Sequence, residues 1–204
     1  KLNYDRIFAK KHHITGLALV EAQANKNDNF FAYREGFIST EVDEMFAGSD
    51  ENKNNGGGAS EGGRMSYVFK LGYSYDNRYL FDFVGRIDGS AKFYKDNRWG
   101  FFPGISAAWR ISEEPFFKEK FTNVDNLKLR LSVGQTGDEA NVNFNYLTGY
   151  IFGNSWIFDT GEAISKGLKS KGLANKDARW AETTTYNIGI DYSIFNRKFY
   201  TEFD

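Results

Sequence analysis

The sequence holds no cysteine, only two prolines and only two histidines in 204 residues, and its 26 basic and 27 acidic side chains nearly cancel to a formal charge of −1. Without cysteine there is no disulfide framework and no thiol nucleophile or thiolate metal site. His12 and His13 lie together at a turn beside Lys10 and Lys11, where a surface pair is expected instead of a metal centre. There is no Gly-x-Ser-x-Gly and no His-Glu-x-x-His, and Gly56-Gly57-Gly58 lacks the Gly-Lys-Ser/Thr ending of a phosphate loop. No catalytic constellation is therefore in view, and no enzyme is expected. The balanced charge leaves no footprint for nucleic acid. No apolar run reaches the roughly 18 residues of a membrane helix. A membrane strand, however, needs only about 10 residues of alternating character, so a mean hydropathy of −0.56 does not exclude the bilayer.

Aromatic residues make up 18% of the chain, and they are patterned. Over residues 66–75, Tyr67, Phe69, Leu71, Tyr73 and Tyr75 alternate with Ser66, Lys70, Gly72 and Ser74, the signature of a two-faced strand. Asp76-Asn77 suits a tight turn, and residues 78–88 repeat the alternation with Tyr79, Phe81, Phe83 and Ile87 against Arg78, Asp82, Arg86 and Asp88. Residues 99–111 read as a third strand, and Leu127, Leu129, Leu131 and Val133 mark another against Lys128 and Arg130. Tyr186, Ile188, Ile190, Tyr192 and Ile194 do the same within 181–195, before Asn196-Arg197 turns into 198–204. Strands at 2–8 and 12–24 bring the count to about eight, in an antiparallel up-and-down meander.

Between them, residues 25–63 and 138–179 read as long loops, the first dense in Asn and Gly, the second holding a helical turn within 163–173. Ser112-Glu-Glu-Pro115 reads as a helix start. Short and long connections fall on opposite rims, as in outer-membrane barrels with brief periplasmic turns and long external loops. Residues 1–4 lack the build of a signal peptide and 198–204 read as a strand cut short, so a segment from inside a longer chain is expected.

The wording of several strands is also familiar. RIDGSAKF at 86–93, RWGFFPGISAAWRISEEPF at 98–116, NLKLRLSVGQTG at 126–137 and WAETTTYNIGID at 180–191 together resemble the barrel signature of SusC/RagA-type TonB-dependent outer-membrane transporters. Ala91, Gly104 and Ala181 depart from the family's usual residues. The resemblance implies one all-β barrel segment over 1–204 in the outer membrane of a Gram-negative cell, part of a barrel of about 22 strands. It further implies import of oligosaccharides or peptides, driven by TonB through a plug domain that is absent from these residues, with a SusD-like surface lipoprotein at the mouth.

On that reading the apolar rows Tyr67, Phe69, Leu71, Tyr73, Tyr79, Phe81, Phe83, Ile188, Ile190 and Tyr192 face the lipid bilayer. Lys70, Asp82, Arg86, Asp88, Lys128 and Arg130 face the lumen, where charge costs least. Tyr146, Tyr150 and Trp156 are candidates for ligand contact in the second long loop. Asp138, Glu139, Asn141, Asn143 and Asn145 offer oxygen ligands for calcium, outside the EF-hand register, and a solvated loop without cofactor is the expectation. The contrasting reading is a secreted, soluble β-sandwich that binds glycans, its apolar rows packed on one another as a core. Because small residues line the polar row, a closed eight-stranded barrel would be left with voids. The expectation is an open sheet with free edges at 2–8 and 198–204.

Overall fold

The computed structural model describes residues 1–139, 142–157 and 164–204, with the side chains of 156, 157, 164 and 165 also outside the description. Its strands are β1 (Leu2–Phe8), β2 (His12–Tyr33), β3 (Asn54–Tyr75), β4 (Tyr79–Ser90), β5 (Trp99–Arg110) and β6 (Val124–Asp138). They continue as β7 (Tyr150–Ile157), β8 (Ile164–Ser170), β9 (Ala181–Ile194) and β10 (Phe199–Phe203), with a 3-10 turn (Ile111–Glu113) and a short α-helix, α1 (Pro115–Lys120), between β5 and β6.

Among the described residues eight strands form one sheet in the order β1-β2-β3-β4-β5-β6-β9-β10, and β7 pairs with β8 in a sheet of two. The meander expected from the alternation is thus present, with a hairpin looped out between β6 and β9. β1 and β10 are its two outer strands, so the sheet is open. Asp76 and Asn77 both take positive φ, 49° and 56°, the left-handed conformation a tight hairpin turn requires and Asn and Asp tolerate. Arg78 N closes this turn on Tyr75 O at 2.9 Å. Ala9 and Lys10 make the equivalent turn between β1 and β2 without a residue suited to it, at φ 47° and 61°.

Two expectations are corrected. The strands flanking the first long connection run to Tyr33 and resume at Asn54, so the loop is residues 34–53 and not 25–63. Backbone pairing needs no apolar side chains, and Gly56-Gly57-Gly58 lies inside β3, where Gly57 passes so close to Asn29 O that a Cβ would stand 2.5 Å from it. The helical turn expected within 163–173 is strand β8, which can pair with β7. The short helix expected after Ser112 is present: it begins at Pro115 with Glu114 in the cap position, and no side chain caps it. Glu114 is engaged elsewhere, as described below.

Two compact units divide the chain: residues 1–22 with 64–204, and residues 23–63. In the smaller unit Arg34 Nη1 donates to Gly48 O, Ser49 O and Asp50 Oδ1 at 3.1, 3.0 and 2.8 Å, which fixes the tip of the loop. In the larger unit the buried apolar core among the described residues is three rings, Phe93, Phe102 and Trp180, from the β4–β5 connection, β5 and the residue before β9. Val142 and Ala178 pack against them. No second sheet covers the apolar rows among the described residues, so the sandwich reading lacks its core.

Candidate functional site

Register decides which side chains share a face. Leu71 pairs with Phe83 and Tyr73 with Phe81; Phe83 pairs with Ile105 and Tyr79 with Trp109; Leu131 pairs with Ile188 and Leu129 with Ile190. All the proposed lipid-side residues therefore lie in one continuous apolar field across β3, β4, β5, β6 and β9. That field is open to the outside: Leu71 is 58% exposed, Phe81 51% and Ile188 63%. Phe69 is half-buried by its neighbours, with ring centroids 5.8 Å from Phe83 and 6.4 Å from Phe101.

The aromatics gather at both ends of the field. Near the short-turn rim Tyr75 and Tyr79 stack at 6.5 Å and Tyr79 and Trp109 at 6.4 Å, while towards the other end Tyr67 and Trp99 meet at 5.9 Å.

The opposite face carries the charges, and it brings together every residue assigned to it. Lys70 pairs with Asp82 at 3.0 Å, and Arg86 Nε grips both oxygens of Asp88 at 2.9 and 2.6 Å. Lys128 and Arg130 converge on Asp191 at 3.3 and 2.7 Å, and Arg130 also reaches Asp204 at 3.0 Å. Asp88 is 2% exposed and Asp191 7%, so these carboxylates are screened little and are held by their cations and hydrogen bonds. Sequence reasoning missed three charged partners: Arg64, which reaches Asp88 at 3.4 Å, Asp191 and Asp204. Arg64 and Asp191 stand in the polar rows; what alternation could not supply is that β6 pairs with β9 and that Arg64 lies against the Trp180 ring.

Of the loop candidates, Tyr146 donates its hydroxyl to Ala91 O at 3.2 Å and packs near Tyr94 and Phe144. Tyr150 stands exposed on β7, and the side chain of Trp156 lies outside the described residues. Glu139 pairs with Lys92 at 3.4 Å, while Asn141 of the suggested calcium set lies outside the described residues. Among the described residues no group of three or more His, Asp or Glu side chains is arranged to hold a metal ion. His13 pairs with Asp5 at 2.9 Å, and His12 Nδ1 lies 2.9 Å from the Tyr73 hydroxyl.

At the short-turn rim Glu114 is nearly buried and accepts three hydrogen bonds, from Tyr79 at 2.6 Å, Trp109 Nε1 at 3.1 Å and Arg78 at 3.1 Å. The Tyr79 hydroxyl above all, then the Trp109 indole and Arg78, hold its carboxyl below the ordinary carboxylate value against the opposing effect of burial.

No family model matches the chain. Curated proteins do. The chain is 42% identical over 135 residues to the TonB-dependent receptor SusC of Bacteroides thetaiotaomicron, covering 65% of this chain and 13% of that protein. It is 34% identical over 203 residues to the TonB-dependent receptor P39 of Formosa agariphila, covering 96% of this chain and 18% of that protein. The chain is a segment of a SusC/RagA-type TonB-dependent receptor. This receptor segment spans less than a fifth of the length of those two relatives.

Its fold is that of solved structures of the RagAB peptide transporter and of the RagAB peptide importer in a closed-closed state, at TM-scores of 0.83 and 0.82 and 24% identity. Each alignment takes in 98% of the segment and 22% of the solved chain. As in those structures, the receptor segment is an antiparallel stretch of barrel wall, here unclosed.

Proposed function

We propose that this segment is wall and rim of an outer-membrane nutrient importer, with its apolar field against lipid and its charged face towards the lumen. The observation that carries the reading is an inversion of burial. Large aromatic and aliphatic side chains are exposed while Ser66, Asp88, Asp191 and Ser193 are buried, the reverse of a water-soluble domain. The spacing of aromatics on β5 agrees. Trp99 and Trp109 sit on the apolar face at the two ends of the strand, and Phe101, Pro103, Ile105 and Ala107 lie between them. Ten residues of strand rise about 33 Å, which at a tilt near 45° spans the roughly 25 Å apolar band of an outer-membrane barrel. The two tryptophans would then mark the two headgroup levels.

For the parent protein the proposal extends to uptake of oligosaccharides or peptides, energised by TonB through a plug domain, with a SusD-like lipoprotein at the mouth. The TonB-dependent receptors among the relatives support the coupling to TonB, and the likeness in fold to the RagAB peptide importer supports peptides as one cargo class. The wall itself carries no catalysis in this reading.

A cysteine scan of β5 in the full receptor, reconstituted in phospholipid vesicles, tests the assignment of faces. Ile105→Cys and Ala107→Cys should react only with a lipid-soluble maleimide, and Ser106→Cys and Ala108→Cys with a charged, water-soluble one. The same reactivity at odd and even positions would defeat it.

A further inference from the structure

The charged face contains a cavity of about 640 Å³ whose walls include Arg64, Arg86, Asp88, Phe102, Gln135 and Thr185. We propose that this cavity binds the carboxylate of the transported substrate, as a subsite built around Arg64; the proposal rests on the lumen-side reading of this face.

The charge balance comes first. Asp88 is shared by Arg86 and Arg64, and the other carboxylate of the wall, Asp82, is taken by Lys70 at 3.0 Å. Lys70 stands outside the cavity wall and matches Asp82, so within the wall Arg64 and Arg86 share the single carboxylate of Asp88. A monoanion matches the charge left over; a phosphate dianion would overshoot.

The geometry then singles out Arg64. Its guanidinium lies 5.4 Å from the Trp180 ring, and that ring is itself held by an Nε1 hydrogen bond to Arg98 O at 3.0 Å and by Phe93 and Phe102 at 5.0 and 5.5 Å. Arg64 is therefore positioned before any ligand arrives, at little further entropic cost. Yet its Nε is buried and, among the described residues, has no hydrogen-bond partner. A buried donor on a charged group is costly to leave empty, and the planar fork of arginine fits a two-oxygen anion.

Thr136 and Thr185, in the polar rows of β6 and β9, place hydroxyl groups on the wall for the neutral part of the ligand, and Phe102 gives it an apolar side. The volume lies within the range of small-molecule sites. The C-terminus of a peptide and the acid group of a uronate sugar share this chemistry.

The test uses the full receptor in vesicles and isothermal titration with two pairs of probes: N-acetyl-trialanine and its C-terminal amide, and trigalacturonate and its methyl ester. One free acid should bind at least about tenfold more tightly than its neutral partner, the worth of one charge-assisted contact. Whichever acid does so identifies the source of the carboxylate. Arg64→Gln should abolish the difference and Arg64→Lys restore part of it.

The acid-to-neutral comparison in the wild type stands even where Arg64→Gln assembles poorly. Equal binding of acid and neutral probes, no binding of any probe, or a preference that persists in Arg64→Gln would each overturn the subsite. If Ser106→Cys still reacts with the water-soluble maleimide, the lumen reading survives that failure. If it does not, both fall.

Discussion

The Tyr79 hydroxyl donates to Glu114 Oε1 at 2.6 Å, and through that one oxygen β4 is joined to the cap of α1. Trp109 Nε1 donates to the same atom at 3.1 Å, so two of the three aromatics stacked at the short-turn end of the apolar field have their polar tips satisfied by a single carboxylate. Tyrosine and tryptophan at a membrane interface need a partner for that tip. Here the protein supplies it, and the rim is fastened to the wall by the same contact.

Because these bonds hold the Glu114 carboxyl below its ordinary value of 4.5, its ionised form is favoured in the folded state. Its contribution to stability is then complete above about pH 4.5 and is lost as the pH falls through the lower folded value. Glu114→Gln should lower the heat-unfolding midpoint of the full receptor at pH 7, and the gap from wild type should close under acid conditions. The shift in gel mobility on heating reads this midpoint. A gap that does not change with pH would remove Glu114 as its cause.

Phe69 and Phe83 lie in the middle of the apolar field and Lys70 directly behind it. Arginine at either phenylalanine should cost about 2–4 kcal/mol if it sits at the bilayer midplane, enough to block assembly of the parent receptor. Lys70→Gln should do little. Surface levels of the three variants in cells make the comparison, and equal levels would contradict the assignment of faces.

Trp99 and Trp109, 49% and 36% exposed, should sit at opposite interfaces with Ile105 between them. A spin label on cysteine at each of these positions should report shallow depth at the two ends and the greatest depth at 105. A steady gradient from 99 to 109, without a central maximum, would mean that the strand does not cross the bilayer there.

Phe102 fills the space over Gly137, and a Cβ added at Gly137 would run into its ring. Gly137→Ala should therefore dislodge the ring cluster, and Phe102→Ala should empty it, at about 3–5 kcal/mol. In both, the connections 91–98 and 139–180 should be cut faster by protease while the sheet still assembles. Gly104→Ala, where the nearest atom to a new Cβ is 3.8 Å away, serves as the silent control.

The strands and faces of β3 to β6 and β9 were legible because one face must meet an apolar surrounding and the other must not, which imprints a period of two on the sequence. Asp76-Asn77 was legible as a turn for its tolerance of positive φ. The outer part of β2 and β3 was not, since glycine and asparagine there pair through the backbone and leave no alternation to read. Nor was the Phe93–Phe102–Trp180 cluster, whose members come from three separate stretches and meet only after the sheet has formed. Glu114 read as part of a helix start because Ser-Glu-Glu-Pro has that wording, while the hydroxyl and indole that claim it lie on other strands.

The pairing of β6 with β9 has a kinetic consequence. Tyr75 meets Tyr79 across a tight turn, whereas Asp138 can meet Ala181 only after residues 139–180 have been looped out. Closing that loop costs chain entropy before any bond rewards it, so this junction should zip last and most slowly. Until it does, the edge of β6 stays bare, and a chaperone that holds an unfinished strand would find its longest-lived target at Leu127, Leu129, Leu131 and Val133.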